Sequence, residues 1–219
     1  ALVHEYPAWN SKQRLEELNM SLGFGAGCYV ASIFVARQRG ISANFHFYTT
    51  MALALVMTGV MLVCAPATAA LVLSLCVAAS GIMAARRGLP VLTLHAAAYG
   101  TAAALVSGLA SGSVVRMIAQ PSMEGGWATL GLATAVLTLV CAVSVGVPRA
   151  DAADWPFAAR LARTVLMTIA VAGTAAWTIQ LALPLVLRLG AVDRGALATL
   201  RSVVVAAAAV GLALLTRRR

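Results

Sequence analysis

Apolar stretches of membrane-spanning length run through this chain, and none of them holds an aspartate, a glutamate or a lysine. The seven acids are Glu5, Glu16, Glu17, Glu124, Asp151, Asp154 and Asp193, all in tails, between apolar stretches or at their ends. An ion-coupled transporter of the common kind keeps a carboxylate in its bundle, because a buried charge is expensive and is retained for function. That mechanism lacks its part here. Lysine is nearly absent: Lys12 is the sole copy, so the last apolar stretch has no amine for a retinal Schiff base. Seven spans match the rhodopsins in number only, and that chemistry is excluded. The four cysteines (Cys28, Cys64, Cys76, Cys141) form no close pair, and all read as small buried hydrophobes. Charge of either sign is scarce, at 11% of residues, and cannot cover a water-soluble domain of this length.

Apolar side chains fill the space that charge leaves. Hydrophobic residues make up 61% of the 219 positions, and mean hydropathy is +0.90. A hydrocarbon core about 30 Å thick is crossed by roughly 20 helical residues. Spans are expected at 18–36, 45–65, 67–85, 90–111, 127–147, 164–187 and 197–216. The reading is an all-α polytopic transmembrane bundle of about seven spans, with an interfacial lead-in at 1–17, one membrane domain at 18–216 and a basic end at 217–219. The first span follows a polar tail with no cleavage site, so it is read as a span and not as a secretory leader.

The net charge of +9 does not point to nucleic acid, because the basic residues are scattered among the flanks of the spans. There they act as orientation signals. With the N-terminus outside, the inner segments hold ten of the 16 basic residues, including Arg37, Arg39, Arg86, Arg87, Arg160, Arg163 and Arg217 to Arg219. N-outside, C-inside is the expected topology, in a bacterial cytoplasmic membrane. In the lead-in, Tyr6 and Trp9 suit the headgroup level, and Asn10 with Gln13 resembles a capping box. Gly88 suits a helix C-terminus and Pro90 a helix start. Asp154 and Pro156 are expected to open an interfacial ramp into span six, with Arg160 and Arg163 turned toward lipid phosphates.

Few residues offer chemistry. His46 and His95 lie near the inner ends of spans two and four and are the only histidines available to hold a haem or a chlorophyll-type pigment; no cofactor is otherwise expected. Ala79-Ser80-Gly81 resembles a fragment of the rhomboid serine protease motif, without that family's oxyanion partners or glycine-spaced histidine helix. Small residues give a clearer pattern. Gly23 and Gly27 are four apart on one face of span one, and Gly108 and Gly112 repeat the spacing at the end of span four, so both pairs are expected to pack helices closely. Ser107, Ser111, Thr174, Thr178 and Gln180 are the neutral polar residues able to line a path; near Gln180, Trp177 and Pro184 also suit a cavity wall, although a hydrogen-bonded glutamine needs none.

The alanine, leucine and valine composition, the arginine pairs between spans and the closing segment LATLRSVVVAAAAVGLALLTRRR from Leu197 to Arg219 resemble uncharacterised bacterial Ala/Leu-rich multi-span membrane proteins. That resemblance implies a segment or relative of a longer multi-span protein and carries no functional residues. Three functions stay open: a non-catalytic structural or accessory subunit, partnered by lipid and by other membrane subunits or copies of itself; a transporter or lipid-handling protein for a neutral or lipidic substrate; and a histidine-dependent haem or pigment binder.

Overall fold

A computed structural model of the chain describes residues 11–39, 43–118, 127–146, 157–188 and 194–217, and the described residues are helical almost throughout. Their helices are α1 (Ser11–Arg39), α2 (Ala43–Val63), α3 (Pro66–Arg87), α4 (Pro90–Val106), α5 (Leu109–Ile118), α6 (Trp127–Gly146), α7 (Phe157–Arg188) and α8 (Arg194–Arg217). Among the described residues three segments are long and apolar enough to cross a membrane: Asn44–Val63, Pro66–Arg87 and Phe157–Ala182. Pro90–Val106, Leu130–Ala142 and Ala198–Gly211 are shorter apolar helices. The chain divides into two compact units, Ala1–Ala69 and Ala70–Arg219. Most of the lead-in, Asn10 of the expected capping box, Asp154, Pro156 and the last two arginines lie outside the described residues.

In the first unit α1 and α2 pack as an antiparallel pair. A Cβ added to Gly25 would stand 2.6 Å from Val56 Cγ2 and 3.5 Å from the Ala52 carbonyl, and one added to Gly59 would collide with Ser21. The buried stripe of α2 runs Phe45, Thr49, Ala52, Val56, Val60, the repeat of one helix face. The Thr49 hydroxyl, which would otherwise burden that stripe, donates to the Phe45 carbonyl at 2.9 Å.

The same device recurs in the second unit. Hydroxyls of Ser74, Thr101, Thr134, Thr138, Thr174 and Thr178 each donate to the carbonyl four residues earlier. Such self-bonding lets hydroxyl residues sit in apolar helices without exposing a free donor to hydrocarbon. The α3–α4 turn follows its expected chemistry: Gly88 has φ of 66°, its N–H donates to the Ala84 carbonyl, and Pro90 opens α4 after an extended Leu89.

α4 and α7 form the interior. α4 is buried nearly all round, leaving a stripe of Leu94, Thr101 and Leu105 outside. A Cβ on Gly100 would meet Leu166 Cδ2 at 3.0 Å and Val77 Cγ2 at 3.6 Å, so α3, α4 and α7 meet at one level. Further along, Ala104, Leu109 and Ala135 cluster with Ile169 packed against them. Gly100 meets Leu166 and, further along, Leu109 meets Gly173, so the chain from α4 into α5 runs parallel to α7.

Two expectations are corrected. Span four, expected unbroken over 90–111, is interrupted: α4 stops at Val106, and Gly108, with φ of 71°, stands in the left-handed region before α5 begins. Glycine reaches that conformation without the Cβ penalty, which is why the helix breaks there. Arg163 does not face phosphates beside Arg160. Arg160 is exposed, whereas Arg163 is 7% exposed on the buried stripe of Ala159, Ala162, Leu166, Ala170 and Gly173. It lies six residues into α7, about 9 Å along the helix axis.

Candidate functional site

The two candidate cofactor histidines occupy unlike settings. His46 is exposed near the start of α2, in the first unit; its carbonyl accepts hydrogen bonds from the Thr49 and Thr50 hydroxyls at 3.0 and 2.8 Å, and its ring lies edge-on to Phe45, with centroids 5.5 Å apart. His95 is 3% exposed in α4, in the second unit. Among the described residues no group of three or more His, Cys, Asp and Glu is placed to hold a metal ion.

The glycine pairs behave differently from each other. Gly23 and Gly27 are exposed, and a Cβ at either position would meet nothing within 4 Å. The close approach to α2 belongs to Gly25, between them in sequence and turned to the other side of α1. Gly108 and Gly112 do not share a helix face. Gly108 is the hinge residue between α4 and α5, and the Gly112 N–H donates to its carbonyl at 2.7 Å.

The five polar residues expected along a path take up three separate duties. Ser107 and Ser111 brace the helix break: the Ser107 hydroxyl donates to the Ala104 carbonyl at 3.4 Å and accepts from the Leu109 N–H at 3.3 Å, while Ser111 donates to the Gly108 carbonyl at 3.2 Å. Thr174 and Thr178 line a groove of about 330 Å³ between α7 and α8, opposite Val203, Val204, Ala207, Ala208 and Gly211. Gln180 is not among its lining residues. It sits on the α7 face of Gly173, where a Cβ would stand 3.1 Å from Ala135 and 3.3 Å from Leu109 Cδ2. Gln180 Oε1 and Trp177 Nε1 are both buried and without a hydrogen-bond partner.

A seam between α3 and α6 was not anticipated. The Cys141 thiol donates to the Val77 carbonyl at 2.6 Å, the Ser74 and Thr134 hydroxyl oxygens are 3.3 Å apart, and Gly81 lies directly under Cys141. Its sequence signal was present: Ser74, Val77 and Gly81, and Thr134, Thr138 and Cys141, each recur at the spacing of one helix face. These small and weakly polar residues let two backbones approach, which is how helices associate where burial from water gives no drive. No protein-family model, no curated protein and no solved structure matches the chain, so the α3–α6 seam, the α7–α8 groove and the exposed α1 glycine face must speak for its function unaided.

Proposed function

We propose that the chain is a non-catalytic structural or accessory subunit of a larger membrane assembly, lying in a bacterial cytoplasmic membrane as a seven-span bundle with the N-terminus outside and the C-terminus inside. The observation that carries this reading is the outer face of α1. Met20, Gly23, Phe24, Gly27, Ala31 and Phe34 are all exposed and fall on one side of the helix, alternating bulky knobs with glycine hollows. A face meant only for lipid gains nothing from hollows, whereas a second helix gains close van der Waals contact. Internal packing against α2 is already served by Gly25.

The test is a pair of substitutions. Gly23→Leu with Gly27→Leu fills both hollows, where an added Cβ meets nothing within 4 Å among the described residues. Fold and membrane level should therefore be unchanged, while partner subunits or second copies recovered on native gels from gently solubilised membranes should fall at least tenfold. A wild-type chain that runs alone sinks the subunit reading; a variant that keeps its partners moves the interface elsewhere.

The topology rests on the arginine distribution, and Arg86 and Arg87 are exposed where α3 ends, as a positive flank requires. A cysteine introduced at Ala119 should react with an impermeant thiol reagent added outside, and one at Ala153 should be protected. The opposite labelling inverts the topology. A second reading, handling of a neutral or lipidic substrate, is supported by the groove that Thr174 and Thr178 share with α8.

A further inference from the structure

The groove of about 330 Å³ between α7 and α8 lies wholly within the second unit. Only residues 189–193 separate the two helices, so they run antiparallel. Counted outward from that turn, Thr178 and Val203 stand at one level and Val171 and Gly211 at another, deeper one. These levels mark the two ends of the groove, which is about 12 Å long at 1.5 Å per residue.

Its walls call for hydrocarbon. Thr174 and Thr178 are the only lining residues with a polar side chain, and their hydroxyl protons are already spent. Thr174 donates to the Ala170 and Val171 carbonyls at 2.9 and 3.0 Å, and Thr178 to the Thr174 carbonyl at 2.8 Å. Water needs two to four polar partners and finds too few there. The bore is narrow as well. That volume over that length leaves a mean cross-section of about 28 Å², against about 80 Å² for a helix 10 Å across. One extended chain fits, and a further helix does not.

The head of that chain is indicated by charge. Arg201 stands half-buried inside the apolar helix Ala198–Gly211, one turn nearer the α7–α8 connection than Val204. A cation in an apolar helix is expensive and is retained for function. In the expected span 197–216 it lies about 6 Å from the membrane surface, within reach of a snorkelling guanidinium, and helical side chains lean toward their N-terminus, here toward that surface. Val203 lies about 9 Å deep, inside the roughly 15 Å of one leaflet. Arg188 closes α7 and Arg194 opens α8, so this end carries three arginines against Asp193 alone. A guanidinium has five N–H donors and matches a phosphate, whereas the ammonium of a zwitterionic head would meet the same positive field.

We propose that the α7–α8 groove holds one acyl chain of an anionic phospholipid whose phosphate is bound by Arg201. This rests on the lipidic reading of the same groove and names its ligand.

The experiment uses the full chain in phosphatidylcholine nanodiscs with a trace of phosphatidylglycerol that bears a diazirine in one acyl chain. Phosphatidylcholine and diacylglycerol with the same diazirine chain are the controls. The wild type should label in α7 and α8 about fivefold more with phosphatidylglycerol than with either control, the factor expected of one arginine at an anionic headgroup. Arg201→Gln should bring the three probes to equal labelling, and Arg201→Lys should keep part of the preference. Gly211→Leu fills the deep end, where an added Cβ meets nothing within 4 Å, and should lower labelling by all three probes without changing their ratio. Equal labelling of the wild type by diacylglycerol keeps the lipidic reading and overturns the anionic ligand. A second copy seated in the groove excludes every probe and overturns it too, as does a preference that survives Arg201→Gln. Transfer of fluorescent phosphatidylglycerol between leaflets is measured separately: no transfer with selective labelling intact ends the handling reading and still supports the bound lipid.

Discussion

Replacing Gly81 with valine should be among the most damaging single changes in the second unit. A Cβ at Gly81 would collide with the Cys141 sulfur and stand 3.2 Å from Cys141 Cβ and 3.5 Å from its Cα. Little can yield there. Cys141 is fully buried and tied by its thiol to the Val77 carbonyl, so relief requires α3 and α6 to separate. Overpacking of this kind costs about 1–3 kcal/mol, and the extra methyls of valine place it at the upper end. Reversible SDS-titrated unfolding in mixed micelles is the measurement. Adding Cys141→Gly to Gly81→Val removes the struck atoms and should recover at least about 1 kcal/mol, because residues in contact couple. Gly211→Val, where a Cβ meets nothing within 4 Å, should stay within about 0.5 kcal/mol of wild type. A Gly81→Val chain as stable as wild type, or purely additive effects with Cys141→Gly, would show that the seam is not packed as described.

Arg163 and Arg160 should respond very differently to the same reversal of charge. They are three residues apart on α7, yet one is buried and the other exposed. Arg163→Glu puts a carboxylate into the space of a guanidinium already desolvated within the bundle, and disrupting a buried charged group costs about 3–5 kcal/mol. That is a large part of the 5–15 kcal/mol that typically holds a domain together. The variant should be degraded, or recovered at a small fraction of the wild-type level in membranes. Arg160→Glu should cost about 0.5 kcal/mol or less and accumulate normally. Under the proposed topology orientation should hold too, because Arg160 would be one of ten inner basic residues. Equal levels for the two variants would contradict the burial of Arg163. Arg163→Met, which keeps the stem and removes the charge, separates loss of packing from the cost of the reversed charge.

Local backbone chemistry and apolar length were legible in the sequence. Long apolar runs without acids or lysine leave helices as the only backbone arrangement that satisfies its own polar groups in hydrocarbon, so the all-helical class followed from composition; of the seven spans expected, three helices among the described residues have spanning length and others are shorter apolar helices. Gly88 and Pro90 terminate and restart the chain as their own steric limits require. Which face of each helix meets which neighbour was decided by tertiary structure alone. Gly23, Gly25 and Gly27 are the same residue within five positions, yet only Gly25 meets α2, because the rotation of α1 is set by how Val56 and Ala52 of α2 fit against it. Gly108 has the spacing of a packing glycine and serves as a hinge, since four-residue spacing is the same whether or not the helix continues through it. In water an apolar stripe marks the buried side of a helix, but here both sides are apolar, and periodicity cannot tell lipid from protein. For the same reason Arg163 read as interfacial by its place in the chain, and only the stripe from Ala159 to Gly173, packed among its neighbours, carried it inside.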